Sequence, residues 1–291
     1  MKTNHTLAAF GALLVIVFAA SALAGAAVGP EPKDETAGHG GDEHAGSGGH
    51  GGEGENGETA HDVRGLASAA DGLRVVAEDP ELRRGRSERL AFRIVDERGA
   101  TVRDFDVEHT KRMHLILARR DLTGFQHLHP TQRADGAWET TTQIPDAGSY
   151  RLFADFSRGS EPQTLATDLR VDGRAELRDL PAPAPAAVSD GGYDVALASG
   201  AAHPGEEAEL RFRISKDGKP VRTESYLGAG GHLVALREGD LAFLHVHPTN
   251  DAGSDEIAFA STFPTEGRYR LFLQFQHAGE VQTVAYTQEV R

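Results

Sequence analysis

MHLILARRDLTGFQHLHP, residues 113–130, sets a histidine at the head of an apolar run and closes on Phe-x-His-x-His-Pro. Residues 231–248, GHLVALREGDLAFLHVHP, repeat the arrangement, with the His-x-His pair 13 residues after the leading His in both. His114, His127 and His129 therefore match His232, His245 and His247. The run 113–119 is too short for a stable helix and is read as a strand, paired with 125–129 through the turn Asp121-Leu122-Thr123-Gly124. Side chains two apart on a strand share a face, so His127 and His129 point one way, as do His245 and His247. A register placing Ile116 opposite His129 puts His114 on that same face; the alternative register turns it away. Leu115 and Leu117 then fill the core, and the histidine face looks outward or toward a neighbouring domain.

The same short alternating segments extend on both sides of this hairpin. Strands are expected at 73–77, 89–95, 113–119, 125–129, 138–144, 150–156 and 163–171, separated by turns such as Asp96-Glu97-Arg98-Gly99 and Pro145-Asp146-Ala147-Gly148. About seven short strands in about 100 residues, with no helical period, indicate an Ig-like β-sandwich. After Pro181-Ala182-Pro183-Ala184-Pro185, a semi-rigid spacer, the order restarts. Glu209–Ile214 (ELRFRI) matches Arg89–Ile94 (RLAFRI), and Tyr269–Phe272 repeats Tyr150–Phe153 as YRLF. The chain thus reads as all-β, with sandwich repeats at 65–172 and 189–291 joined by a linker at 173–188.

Upstream, Lys2 and His5 precede an apolar run, Leu7–Ala20, and a small-residue stretch to Gly29. Residues 1–29 are a signal peptide, with Ala22-Leu23-Ala24 as a cleavage site, or an uncleaved membrane anchor; both readings put the rest outside the cytoplasm. Residues 30–64 are rich in Gly, acid and histidine (His39, His44, His50, His61) and too poor in large apolar groups to order themselves. They act as a spacer or a loose collector of divalent metal. Residues 31–62 carry nine acidic residues and one Lys, −8 of the formal net charge of −14. No basic stripe exists for nucleic acid. The absence of Cys excludes disulfides, thiolate metal sites, iron–sulfur clusters and blue-copper electron transfer.

The six matched histidines remain the chemical signal. Of the 19 aligned positions from Met113 to Thr131, eight are identical between the copies, and three of the eight are His. Three neutral imidazoles suit Cu(II) or Zn(II), and the affinity order favours copper. The first copy adds His109 and Glu108 as candidates. Met113, one residue from His114, faces the opposite way and packs in the core. Asp155 in FADF corresponds to Gln274 in FLQF, as a partner for a histidine or a plain surface carboxylate. His203 and His277 are read as surface residues. The competing structural reading has the His-x-His-Pro imidazoles bonding backbone and stacking on Tyr150 or Phe125.

At MHLILARRDLTGFQHLHP with YRLFADF, and YLGAGGHLVALREGDLAFLHVHP with YRLFLQF, the chain resembles secreted or membrane-anchored actinobacterial proteins built on YtkA-like domains, related to the CopC and FixH type. The resemblance covers about 65–291. It implies an Ig-like sandwich and an association with copper or other heavy-metal handling, carried by His114, His127, His129, His232, His245 and His247. The N-terminal His of CopC copper sites has no counterpart here. The expected function is an extracytoplasmic copper or zinc buffer or chaperone with duplicated three-His sites, serving a membrane metal-handling protein. The alternative is a membrane-tethered Ig-like interaction module whose histidines are structural. No G-x-S-x-G, H-E-x-x-H or phosphate-cradling loop is present, so no enzyme is expected.

Overall fold

The computed structural model describes residues 63–244, 246–250, 252–254 and 256–291. The signal or anchor and the His-rich segment, like His245, lie outside the described residues. Within them the protein is all-β, with two tandem sandwiches and no helix.

In the first repeat one sheet runs, from edge to edge, Ala69–Ala70, Leu73–Ala77, Ser87–Asp96, Trp138–Gln143, Thr131–Gln132. The other runs Glu81–Leu82, Glu161–Val171, Gly148–Arg158, His114–Arg119, Gln126–Leu128. Glu81–Leu82 pairs in parallel with the end of Glu161–Val171; the other pairings are antiparallel. The second repeat follows the same plan. One sheet runs Ala186–Val188, Asp194–Ser199, Glu207–Lys216, Ile257–Thr262, His247–Pro248, with Lys219–Pro220 also paired to Glu207–Lys216, and the other runs Phe243–Leu244, His232–Arg237, Gly267–His277, Glu280–Val290. In each, the tyrosine of YRLF makes the corner hydrogen bond typical of Ig-like sandwiches. Tyr150 donates to the Asp146 carbonyl and Tyr269 to the Thr265 carbonyl, both at 3.0 Å. No disulfide staples the layers; Phe105 packs edge-on against Trp138 and Phe156 instead.

Met113 is buried in the first core, as its position beside His114 implied. The strand HLILAR is buried at all six positions. Alternation explains half of this: Leu115 and Leu117 enter the first repeat's core. The other face, Ile116 and Ala118, enters a third apolar cluster with Phe153 and Ala166 from the first repeat and Val234, Leu236, Phe243 and Phe272 from the second. A strand covered on both sides reads as a continuous apolar run. The third cluster is a seam with approximate twofold symmetry. Phe125 stacks on Phe272 at 4.1 Å, and the matching pair, Phe243 and Phe153, meets at 5.7 Å.

The chain also stitches across this seam at its start. The Phe243 amide donates to the Arg64 carbonyl at 2.9 Å, and the Gly65 amide to the Thr164 carbonyl at 3.1 Å. Gly65 has φ 67°, and a Cβ there would lie 2.7 Å from the Phe153 ring.

The hairpin register differs from expectation by two residues. Ile116 faces His127, not His129, and Leu115 faces Leu128. The turn forms one residue earlier because Arg119 wraps it, donating to both oxygens of Asp121 at 2.9 and 2.6 Å and to Thr123 at 3.0 Å. A two-residue shift keeps every side chain on its expected face, so His114 and His127 look into the seam together. Leu122, with φ 62°, is buried there too.

Candidate functional site: a histidine cluster at the seam

His114 opens its strand, and His127 lies in the middle of the partner strand Gln126–Leu128. His129 follows two residues on. The ligand nitrogens of these three all lie within 4.8 Å of one another. His114 and His127 are buried, and His129 is half-buried. Two further imidazoles surround them. His232 of the second repeat stacks on His127 at 4.7 Å and on His114 at 5.6 Å. His109 meets His114 at 6.1 Å and His232 at 5.9 Å.

The turn carrying His109 is held in an unusual shape. Glu108 and Lys111 exchange two backbone hydrogen bonds, while His109 and Thr110 both take positive φ, 46° and 66°. A β-branched residue in that region costs on the order of 1–3 kcal/mol. The result is that the Glu108 carbonyl faces His114 Nε2 at 3.2 Å. Glu108 thus reaches the cluster through its backbone oxygen.

The hydrogen bonds around the three histidines cannot all be satisfied by neutral rings. His127 Nδ1 donates to Gln274 Oε1 at 2.7 Å, with the amide oriented so that its Nε2 donates to the Thr283 hydroxyl at 3.1 Å. A neutral imidazole carries one N–H, so His127 Nε2 presents a lone pair. It faces His114 Nδ1 at 3.0 Å. If His114 gives its proton to His127, its own Nε2 lone pair abuts the Glu108 carbonyl. If it gives its proton to Glu108, two lone pairs meet at 3.0 Å. His129 Nε2 is buried with no hydrogen-bond partner.

A second proton on His114 would resolve the conflict, but the surroundings oppose it. Burial is the main cause that pulls His114 down to about 4, with His129, His109 and Lys111 adding to it. Burial, then His114 and His129, pulls His127 to about 3. Burial and Lys111 bring His129 to about 4. His232 is held well below the ordinary imidazole value, again by burial first and then by the other rings. His114, His127, His129 and His232 are thereby held neutral at physiological pH, which leaves the site rich in lone pairs.

The residues present fit a metal ion. Glu108 and Gln274 occupy the far nitrogens of His114 and His127 as acceptors, the arrangement that fixes tautomers in metal-binding histidines. What remains is His114 Nδ1, His127 Nε2 and His129 Nε2. Nitrogens about 2.0–2.1 Å from one ion lie roughly 3 Å apart, which is the His114–His127 separation of 3.0 Å.

Of the other sequence candidates, His247 is exposed, in a two-residue strand paired to Ala260. The three-His group does not include His232 or His247. Asp155 pairs with His114 along the ladder, but its carboxylate accepts from the Thr164 hydroxyl at 2.7 Å. Burial raises it to about 7, so it is no plain surface carboxylate. His203 is exposed as expected, whereas His277 is half-buried and bonded to the Tyr193 hydroxyl at 2.8 Å. The imidazole of His129 meets that of His127 edge-on, and His127 stacks on His232, where the structural reading had both rings stacking on Tyr150 or Phe125. Gln274 was visible in sequence only as the counterpart of Asp155. A cleft of about 430 Å³ lined by Phe125, His127, Phe272 and Gln274 opens beside the pair.

Two sandwiches of this kind in tandem define an Ig-like, all-β class of protein. Residues 68–173 and 186–291 each match a family described as a domain of unknown function, DUF8832, and the chain belongs to that family. No curated protein matches. Among solved structures the chain is similar to FdeC, an Escherichia coli adhesin, at 14% identity over 77% of this chain and 65% of that one, with a TM-score of 0.27. It is also similar to Salmonella alpha-2-macroglobulin, at 12% identity over 80% of this chain and 16% of that one, TM-score 0.28. A third is the Yersinia pseudotuberculosis adhesin InvE, at 12% identity over 75% of this chain and 58% of that one, TM-score 0.22.

Proposed function

We propose that the protein binds a transition-metal ion outside the cytoplasm through His114, His127 and His129, as a buffer or chaperone, with Cu(II) preferred over Zn(II). The observation that carries this is the unmet hydrogen bonding of the three rings. One ion between His114 Nδ1, His127 Nε2 and His129 Nε2 serves every lone pair that neutral tautomers leave facing another. A purely structural cluster would retain a penalty of about 1–3 kcal/mol for each unserved buried group. The preference for copper follows the affinity order for imidazole sites. The apolar run at 7–28 supports export, and a membrane metal-handling protein is the expected partner.

The test is Cu(II) and Zn(II) titration by calorimetry, with electron paramagnetic resonance of the copper form. The full chain is used with His39, His44, His50 and His61 replaced by Ser, so that the N-terminal histidines do not compete. Sub-micromolar binding with nitrogen hyperfine structure, lost in His127→Ala/His129→Ala, is expected. Binding no tighter than that of the double variant would sink the reading and favour an interaction module with structural histidines.

A further inference from the structure

The three ligand histidines belong to one repeat, yet the second repeat closes around them. His127 reaches across the seam to Gln274, which lies on the strand Gly267–His277 and is itself buried. His232, the residue paired with Gln274 along that sheet, covers His127 and His114 with its ring. In the first repeat the place of Gln274 is taken by Asp155. Both hold the matching threonine, Gln274 with Thr283 and Asp155 with Thr164. The amide differs in having an acceptor and a donor at once, so it can grip its threonine through one end and His127 through the other.

Resting on the three-His reading above, we infer that the metal centre is a joint property of the two repeats, with Gln274 as the positioning residue that fixes the ligating face of His127 and His232 as the wall that shields it. Without the Gln274 acceptor, the His127 proton is free to move to Nε2, the nitrogen the ion needs. Ion binding and docking of the repeats are then thermodynamically linked: whatever loosens the seam releases the ion, and the ion tightens the seam.

The experiment uses the same full chain with its four N-terminal histidines replaced. Gln274→Leu removes the acceptor at similar volume, and Gln274→Glu restores one with a charge that strengthens the imidazole as a ligand. Cu(II) affinity is expected to fall about 10- to 100-fold in Gln274→Leu, with altered nitrogen hyperfine structure, and to recover in Gln274→Glu. His232→Phe, which keeps a ring on the seam, is expected to weaken binding less. Hydrogen exchange on the unsubstituted site should show Cu(II) protecting Gly267–His277 of the second repeat along with His114–Arg119 of the first. This arm decides the matter even if Gln274→Leu folds poorly. Wild-type affinity and spectrum in Gln274→Leu, or protection confined to the first repeat, would overturn the joint centre while leaving the three-His site standing. Failure of the parent chain to bind would instead strike the three-His reading itself.

Discussion

At the residue scale the cluster is governed by proton bookkeeping. His114, His127 and His129 are held at about 4, 3 and 4, below the ordinary 6.5 of an unfolded imidazole. The unfolded chain therefore takes up protons as pH falls through about 6.5, while the folded chain stays neutral until near 4. Stability from these rings is complete above the unfolded value and drains on acidification, by about 1.4 kcal/mol per pH unit for each of the buried His114 and His127 still neutral and by less for the half-buried, solvent-screened His129. The melting temperature of the metal-free protein should drop between about pH 6.5 and 4, and less steeply in His127→Phe. At neutral pH, binding an ion displaces almost no imidazole protons, so its calorimetric enthalpy should not vary with the ionisation enthalpy of the buffer. A second contrast lies in the hairpin turns. Arg119 and Asp121 are 2% and 4% exposed, whereas the matching Arg237 and its own carboxylate partner Asp240, one position further along the turn, are 19% and 42% exposed. Burial would raise Asp121, but bonds from Arg119, Thr123 and Arg178 outweigh it and hold it at about 2. Asp121→Asn strands a buried guanidinium and should cost about 3–5 kcal/mol; Asp240→Asn should cost about 1 or less. Urea unfolding midpoints compare the two.

At the element scale the central strands carry two cores at once. Ile116→Asp leaves the first repeat's own core intact and places a charge among Phe153, Val234 and Phe272. It should destabilise the protein strongly, with the loss read as new protease cleavage in both repeats. Gly65→Ala should also be costly, because the new methyl meets Phe153 and Phe243 in a left-handed conformation; about 1–3 kcal/mol is expected from thermal melts. The strands themselves were legible from alternation and turn residues, whereas the face of His114 hung on a register that the sequence left open. The register was not legible, because the Arg119–Asp121 clasp that sets the turn is a side-chain contact without a periodic signature. The burial of Ile116 and Ala118 was hidden for another reason: a strand covered twice looks like any apolar run. Gln274 acts through a partner 147 residues away in the chain, a contact that no local pattern encodes.

At the scale of the whole molecule the repeats share one seam, and their unfolding should reflect it. A single cooperative transition is expected by calorimetry for the region 63–291, with Phe125→Ala/Phe243→Ala splitting it into two. Both phenylalanines stand at the matching place in their repeats, each against a phenylalanine of the other. The duplication is legible in the sequence, with three matched histidines in each copy, but whether both copies bind is not. The structure instead sets His232 against the first copy's histidines.

The twofold character of that seam bears on what one repeat would do alone. A face complementary to its own copy already closes a pair of identical subunits before any linker joins them. A single repeat bearing this face is therefore expected to pair with a second copy of itself, read as a dimer by sedimentation. Within one chain the two halves need not be alike. Asp155 in the place of Gln274, and a His109 present in one half alone, are where the two halves differ along that seam.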